Sequence, residues 1–228
     1  MDTSLILIAI FPGIALALIF YLTDRFQREP LLLLIKIFII GMLSVVPTAF
    51  LEKIIISFNP FAGLLGIAFT AFIVAGLTEE FVKRKIVFLF AFNNSAFDEK
   101  LDGIIYAVFA SLGFATAENI NYVAFAFASN PYVGLFRGFI SVPAHMLFAV
   151  TMGYYLSLAK FCLQIELKQV YLKRALIIPM LLHGTFDFIL MLNMGPVLFA
   201  FIPFILYLWS SNLKKLNIYY KDSKQNRN

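Results

Sequence analysis

Charge is scarce in this sequence. Of 228 residues, 14% are Asp, Glu, Lys or Arg, where soluble domains carry about 25%. Apolar residues make up 61% and the mean hydropathy is +0.89. A water-soluble fold of this size leaves too much surface exposed to hide so much apolar matter; lipid is the solvent that suits it. Cysteine is nearly absent: the single Cys162 excludes an internal disulfide and a multi-cysteine metal site. No internal repeat or low-complexity stretch appears. The opening residues have neither a basic leader nor a small-residue cleavage site, and read as a retained first span. The net charge of +5 does not point to nucleic acid, because much of it lies at the C-terminus in Lys214, Lys215, Lys221, Lys224 and Arg227. Such a tail reads as cytoplasmic and close to anionic lipid.

Apolar runs separated by polar breaks place spans near 4–22, 31–50, 61–77, 103–127, 133–158, 174–192 and 197–212, with a short apolar piece at 86–92. The fold class is therefore all-α: a polytopic transmembrane bundle of seven to eight spans around a polar intramembrane cavity. Residues 1–213 form one membrane domain and 214–228 a basic cytoplasmic tail. The region 61–97 decides the count. As one helix it is about 55 Å long, far beyond a hydrocarbon core of about 30 Å, so either it breaks near the glutamates, giving eight spans, or it extends past the interface, giving seven; a broken third helix is the preferred reading. With seven spans, the loops holding Arg25 and Arg28, Lys100, and Lys160, Lys168, Lys173 and Arg174 share the side of the basic tail. That side is cytoplasmic by the distribution of basic residues, and Glu79 and Glu80 fall nearer to it.

Function is legible in the polar residues inside these spans, because an ionisable group at mid-bilayer costs about 2.5–3.5 kcal/mol on insertion scales. They are Glu79, Glu80, Asp102, Glu118, His145, His183 and Asp187, the two histidines being the only ones in the chain. Glu79 with Lys83, and Glu80 with Arg84, stand at i, i+4 and can pair as at a helix end. Adjacent carboxylates in a dry site instead divide into one proton acceptor and one proton holder. Glu118 and Asn119 follow a run of small residues (Gly103, Ala107, Ala110, Ser111, Gly113, Ala115 and Ala117) that lets a neighbouring helix approach closely. These two read either as interfacial or as parts of a site. Pro143 frees a carbonyl near His145, and Asp187 stands at i, i+4 to His183, where it can fix the imidazole tautomer. Four polar clusters on four helices imply one shared cavity.

That parts list suits hydrolysis. A carboxylate takes a proton from water as it attacks a carbonyl carbon, and an imidazole or Asn119 stabilises the oxyanion. It equally suits a metal, since two His plus Glu are a zinc-peptidase ligand set, although no H-E-x-x-H occurs. A proton-coupled transporter or ion pathway is the alternative use of such buried groups, but the matching halves of many transporters are missing. In a non-catalytic scaffold the same groups only hold helices together.

The ordered motifs E79-E-F-V-K83, D102-G-I-I-Y106, G113-F-A-T-A-E118-N, H145-M-L-F148, G153-Y154 and H183-G-T-F-D187-F resemble the PrsW family of membrane proteases, related to the CAAX prenyl endopeptidases and the bacterial CAAX-protease-like proteins. The latter share the double glutamate followed by Arg, here Glu79, Glu80 and Arg84, but carry Phe four residues before a His. Ser141 and Pro179 stand at those positions, which favours the PrsW branch. The resemblance implies a bacterial plasma-membrane endopeptidase that makes the first cut in a membrane-bound anti-sigma factor. It implies Glu79, Glu80, His145 and His183 as catalytic residues or, with a divalent metal such as zinc, as its ligands. Glu118, Asn119, Asp187 and Lys83 would support them. The implied partners are a membrane-spanning protein substrate and the lipid bilayer, without nucleic acid.

Overall fold

The computed structural model describes residues 3–24, 27–123, 132, 136–192 and 195–225. The expected span ends at 124–127 and 133–135, and Arg25 and Arg227 among the expected cytoplasmic cations, lie outside these. The described chain is helical: α1 (Thr3–Thr23), α2 (Leu31–Ser57), α3 (Gly63–Phe92), α4 (Lys100–Asn121), α5 (Arg137–Lys160), α6 (Ile165–Leu192) and α7 (Gly195–Gln225). The first six are long and apolar enough to cross a membrane. α7 is apolar in its first half and basic in its second, so the expected boundary between 213 and 214 falls inside one helix. Its basic half lies against the body, where Tyr219 Oη donates to the Tyr154 carbonyl at 3.0 Å and Ser223 Oγ to Glu99 Oε1 at 2.9 Å.

α4 is the axis of the bundle. Every residue from Leu101 to Thr116 is buried, and α1, α2 and α5 pack around it. Small residues make this possible. A methyl group on Gly153 of α5 would sit 2.2 Å from the Gly103 carbonyl of α4, so these two backbones touch directly, as small residues permit between membrane helices. Lipid is left to the outer helices, where Phe11, Leu32, Val46 and Phe139 are exposed.

The expected break in the third span is absent. α3 runs unbroken for 30 residues, about 45 Å at 1.5 Å per residue. It absorbs its polar stretch by loosening: Thr70–Leu77 and Phe88–Phe92 are π-helical, on either side of an α-helical Thr78–Val87. Glu79 sits about 24 Å along the axis from the start of α3 and about 20 Å from its end.

Candidate functional site

The site begins with the register of α3. Just after its first π-helical segment, Thr78 Oγ1 donates to the carbonyl of Ile73, five residues back, at 3.3 Å. The next two side chains, Glu79 and Glu80, point into the bundle and are buried. α6 approaches α3 closely because Gly76 and Gly184 face each other; a methyl group on Gly76 would lie 2.9 Å from the Met180 carbonyl. This contact brings His183 over the carboxylates.

Lys83 is the hub. Its side chain is fully buried, and Nζ donates to Glu79 Oε2 at 2.9 Å and Glu80 Oε1 at 2.8 Å, and faces His145 Nδ1 at 2.9 Å. The sequence pairing of Glu79 with Lys83 is present; that of Glu80 with Arg84 is not. Glu80 turns instead to Lys83 and to His183 Nδ1, 3.0 Å away, because the bundle interior rewards a partner that is itself buried. An ammonium only donates, so His145 Nδ1 accepts and its proton resides on Nε2. That Nε2 faces Glu118 Oε2 at 3.1 Å. Glu118 is held from the other side by Arg137 Nη2 at 3.0 Å, whose guanidinium stacks 3.8 Å from the Tyr122 ring centroid. Glu118 thus belongs to the interior cluster.

His183 directs its second nitrogen, Nε2, toward Asp187 Oδ2 at 3.4 Å, with Glu79 Oε2 at 4.0 Å. The two imidazoles lie edge to face with centroids 4.9 Å apart. Phe148 stacks on His183 at 5.0 Å, and Phe114 closes the floor under the Lys83 ammonium at 4.5 Å. One ligand atom from each of Glu79, Glu80, His145 and His183 lies within 4.8 Å of the others, and all four residues are buried.

These groups open into a cavity of about 480 Å³, lined by Glu79, His145, His183, Glu118, Arg137 and Asp187 among others, whereas Glu80 and Lys83 stay behind its wall. The lining comes from the second half of α2, the first part of α3, the end of α4, the start of α5 and the end of α6. The cavity therefore occupies the half of the bundle nearest the α2–α3, α4–α5 and α6–α7 connections.

Two sequence-selected residues sit elsewhere. Asn119 is fully buried but points away from the cavity, donating to the Ala9 carbonyl of α1 at 3.0 Å. It ties α1 to α4 and does not reach the place where a substrate carbonyl would lie. Asp102, at the far end of α4, closes a capping box with Glu99 and accepts backbone N–H groups of Asp98 and Glu99 at 2.9 and 2.7 Å. One cavity residue escaped the sequence reading. Glu52 lines the wall from α2, one turn beyond Thr48, which lines it too. Its signal was an i, i+4 polar pair inside an otherwise apolar run, masked by the neighbouring Lys53, which made the stretch look interfacial.

Comparison with known proteins places the same residues in context. The sequence profile described as PrsW family intramembrane metalloprotease matches residues 29–210. Protease PrsW of Clostridioides difficile is 44% identical over 99% of this chain and 95% of its own length. Protease PrsW of Geobacillus kaustophilus is 36% identical over 93% of the chain and 91% of its own length, and that of Bacillus subtilis 34% over 93% and 94%. No solved structure matches.

Proposed function

This chain belongs to the PrsW family of intramembrane metalloproteases, and from that premise we propose that Glu79, Glu80, His145 and His183 form its catalytic centre. The chain is a multi-pass membrane protease acting on a membrane-protein substrate. The observation that carries the site assignment is the convergence of these four residues, from α3, α5 and α6, at one polar cavity deep in the bundle.

The donor set fits a metal. Two carboxylates and two imidazoles are ligands for zinc, and three of these donors, Glu79, Glu80 and His145, already surround the Lys83 ammonium. Glu80, His145 and His183 would hold zinc, three ligands that leave a position for water, and zinc when bound supplies Lewis acidity and an acidified water. The chain's own residues divide the remaining work. Glu79 reaches the cavity and Glu80 does not, so Glu79 is the carboxylate placed to take a proton from the attacking water. Glu80 anchors Lys83 and His183 from behind. Asp187 orients His183, and Glu118, itself clamped by Arg137, orients His145. Phe114 and Phe148 form the dry walls that strengthen each of these interactions.

The cavity opens toward the side opposite Lys100, Lys160, Lys168 and the basic end of α7, which is the extracytoplasmic side if basic residues face the cytoplasm. That placement suits a cut near the outer end of a substrate span. We further assign the chain to the bacterial plasma membrane, with a single-span anti-sigma factor as the substrate class. The test is co-expression with such a substrate. Glu79→Gln, Glu80→Gln and His183→Ala should each abolish the cut at unchanged protein level. Continued cutting by all three would remove these residues from the chemistry. Metal analysis of the purified protein should find zinc in the unaltered chain and a loss of it in His183→Ala.

A further inference from the structure

Glu52 is the cavity group for which the catalytic scheme has no task. It stands on α2 five residues before the helix ends at Ser57, about 8 Å along the axis, in the half of the bundle that holds the cavity. Its Oε1 is inaccessible to solvent and accepts no hydrogen bond. A buried acceptor without a donor is costly, and the residue itself lines the cavity wall.

The charges around Glu52 define that donor. Glu79 and Glu118 share the cavity wall with it, and the basic groups beside them are Lys83, behind the wall, and His183, on it. Both cations are committed: Lys83 to Glu79, Glu80 and His145, and His183 to Glu80 and Asp187. Arg137, also on the wall, is committed to Glu118 and stacked on Tyr122. Glu52 is left as the carboxylate of the wall that no cation on the wall engages. Resting on the protease assignment above, we propose that Glu52 forms a specificity subsite for a lysine or arginine side chain of the substrate, on the aqueous flank of the scissile bond. A substrate strand entering from the open side passes Glu52 before it reaches Glu79. A cationic side chain docked there fixes the depth to which the strand descends. It also pairs with the Glu52 carboxylate in a low-dielectric wall where a charged pair is strong.

The test uses the full chain in detergent micelles with a family of single-span model substrates. Their extracytoplasmic flank carries Lys, Gln or Glu at each of several successive positions. The unaltered protein should cut the Lys version at one register at least about 10-fold faster, in kcat/KM, than its Gln counterpart, and the Glu version slowest. In Glu52→Gln the Lys rate should fall to the Gln rate, and in Glu52→Lys the order of Lys and Glu should reverse. Thermal unfolding of each variant guards against loss of fold, and the reversal in Glu52→Lys is a gain that misfolding cannot produce. Equal rates on Lys and Gln versions at every register, or a Lys preference that survives in Glu52→Gln, would overturn the subsite while leaving the protease intact. Failure to cut any version, with Glu79→Gln indistinguishable from the unaltered chain, would overturn the protease assignment itself.

Discussion

Two clusters of buried carboxylates lie at opposite ends of α4, and only one of them is equipped for chemistry. At the cavity end, Glu79, Glu80 and Glu118 are interleaved with Lys83, Arg137 and two imidazoles, so each acid is matched by a donor. At the other end, Asp24, Glu29 and Asp102 are just as buried. Their partners include a phenol, backbone amides and each other: Tyr106 Oη donates to Glu29, the Glu29 amide donates to Asp24 Oδ2 at 3.1 Å, and the Glu29 side chain shares a hydrogen bond with Asp102. Among the described residues no imidazole joins them, and they do not line the cavity of the other end. Burial of an acid is thus a poor guide to function by itself. What distinguishes the site is a mixed donor set beside a space large enough for a substrate.

The strongest way to break this comparison is to remove the cation from the cavity cluster. Lys83→Met leaves two carboxylates buried without their counter-charge, and deleting one partner of a buried pair costs about 3–5 kcal/mol. A large drop in the melting temperature of the purified protein is expected; an unchanged value would show that Lys83 does not hold the cluster together. Next comes a contrast of activities. Glu79→Gln should lower kcat at least about 100-fold, as loss of a group acting in the transition state does, with little change in melting temperature. Asp102→Ala should do the opposite, costing about 0.5–2 kcal/mol for the lost cap while substrate cleavage persists. Similar losses of activity from both would erase the distinction between the clusters.

The smallest effect is a pH slope. Burial, together with the charge of Asp102, pushes the Glu29 carboxyl from 4.5 up to about 10. The folded chain therefore keeps this proton where the unfolded chain has lost it. Stability from this group is full below pH about 4.5 and declines as pH rises toward about 10, because the unfolded state binds fewer protons over that interval. Glu29→Gln mimics the protonated form. Melting curves from pH 5 to 9 should fall with pH for the unaltered chain and flatten in the variant, and parallel slopes would refute a proton held at Glu29.

Legibility in the sequence followed the same division. The cavity cluster was readable because its residues, Glu79, Glu80, His145 and His183, interrupt apolar runs. The all-α membrane bundle was readable from hydropathy alone. The unbroken α3 was not, since a π-helical turn has no residue signature and 30 residues exceed a flat bilayer core. Asn119 misled because a side chain that clamps two helices and one that faces a substrate interrupt an apolar run in the same way. Glu29 and Asp24 sat in what read as a polar loop, and their burial follows from packing against α4 that local sequence does not encode.

The arrangement of Lys83 also bears on how the chain is made. α3 enters the bilayer before α5 and α6 have been synthesised, so neither histidine is present when the two glutamates arrive. A lone carboxylate at that depth is poorly tolerated. Lys83 stands three and four residues away on the same helix face, where it can pair with both acids as soon as one turn has formed. The segment thus brings its own counter-charge into the membrane, and the later helices close around a turn in which one of the two negative charges is already offset.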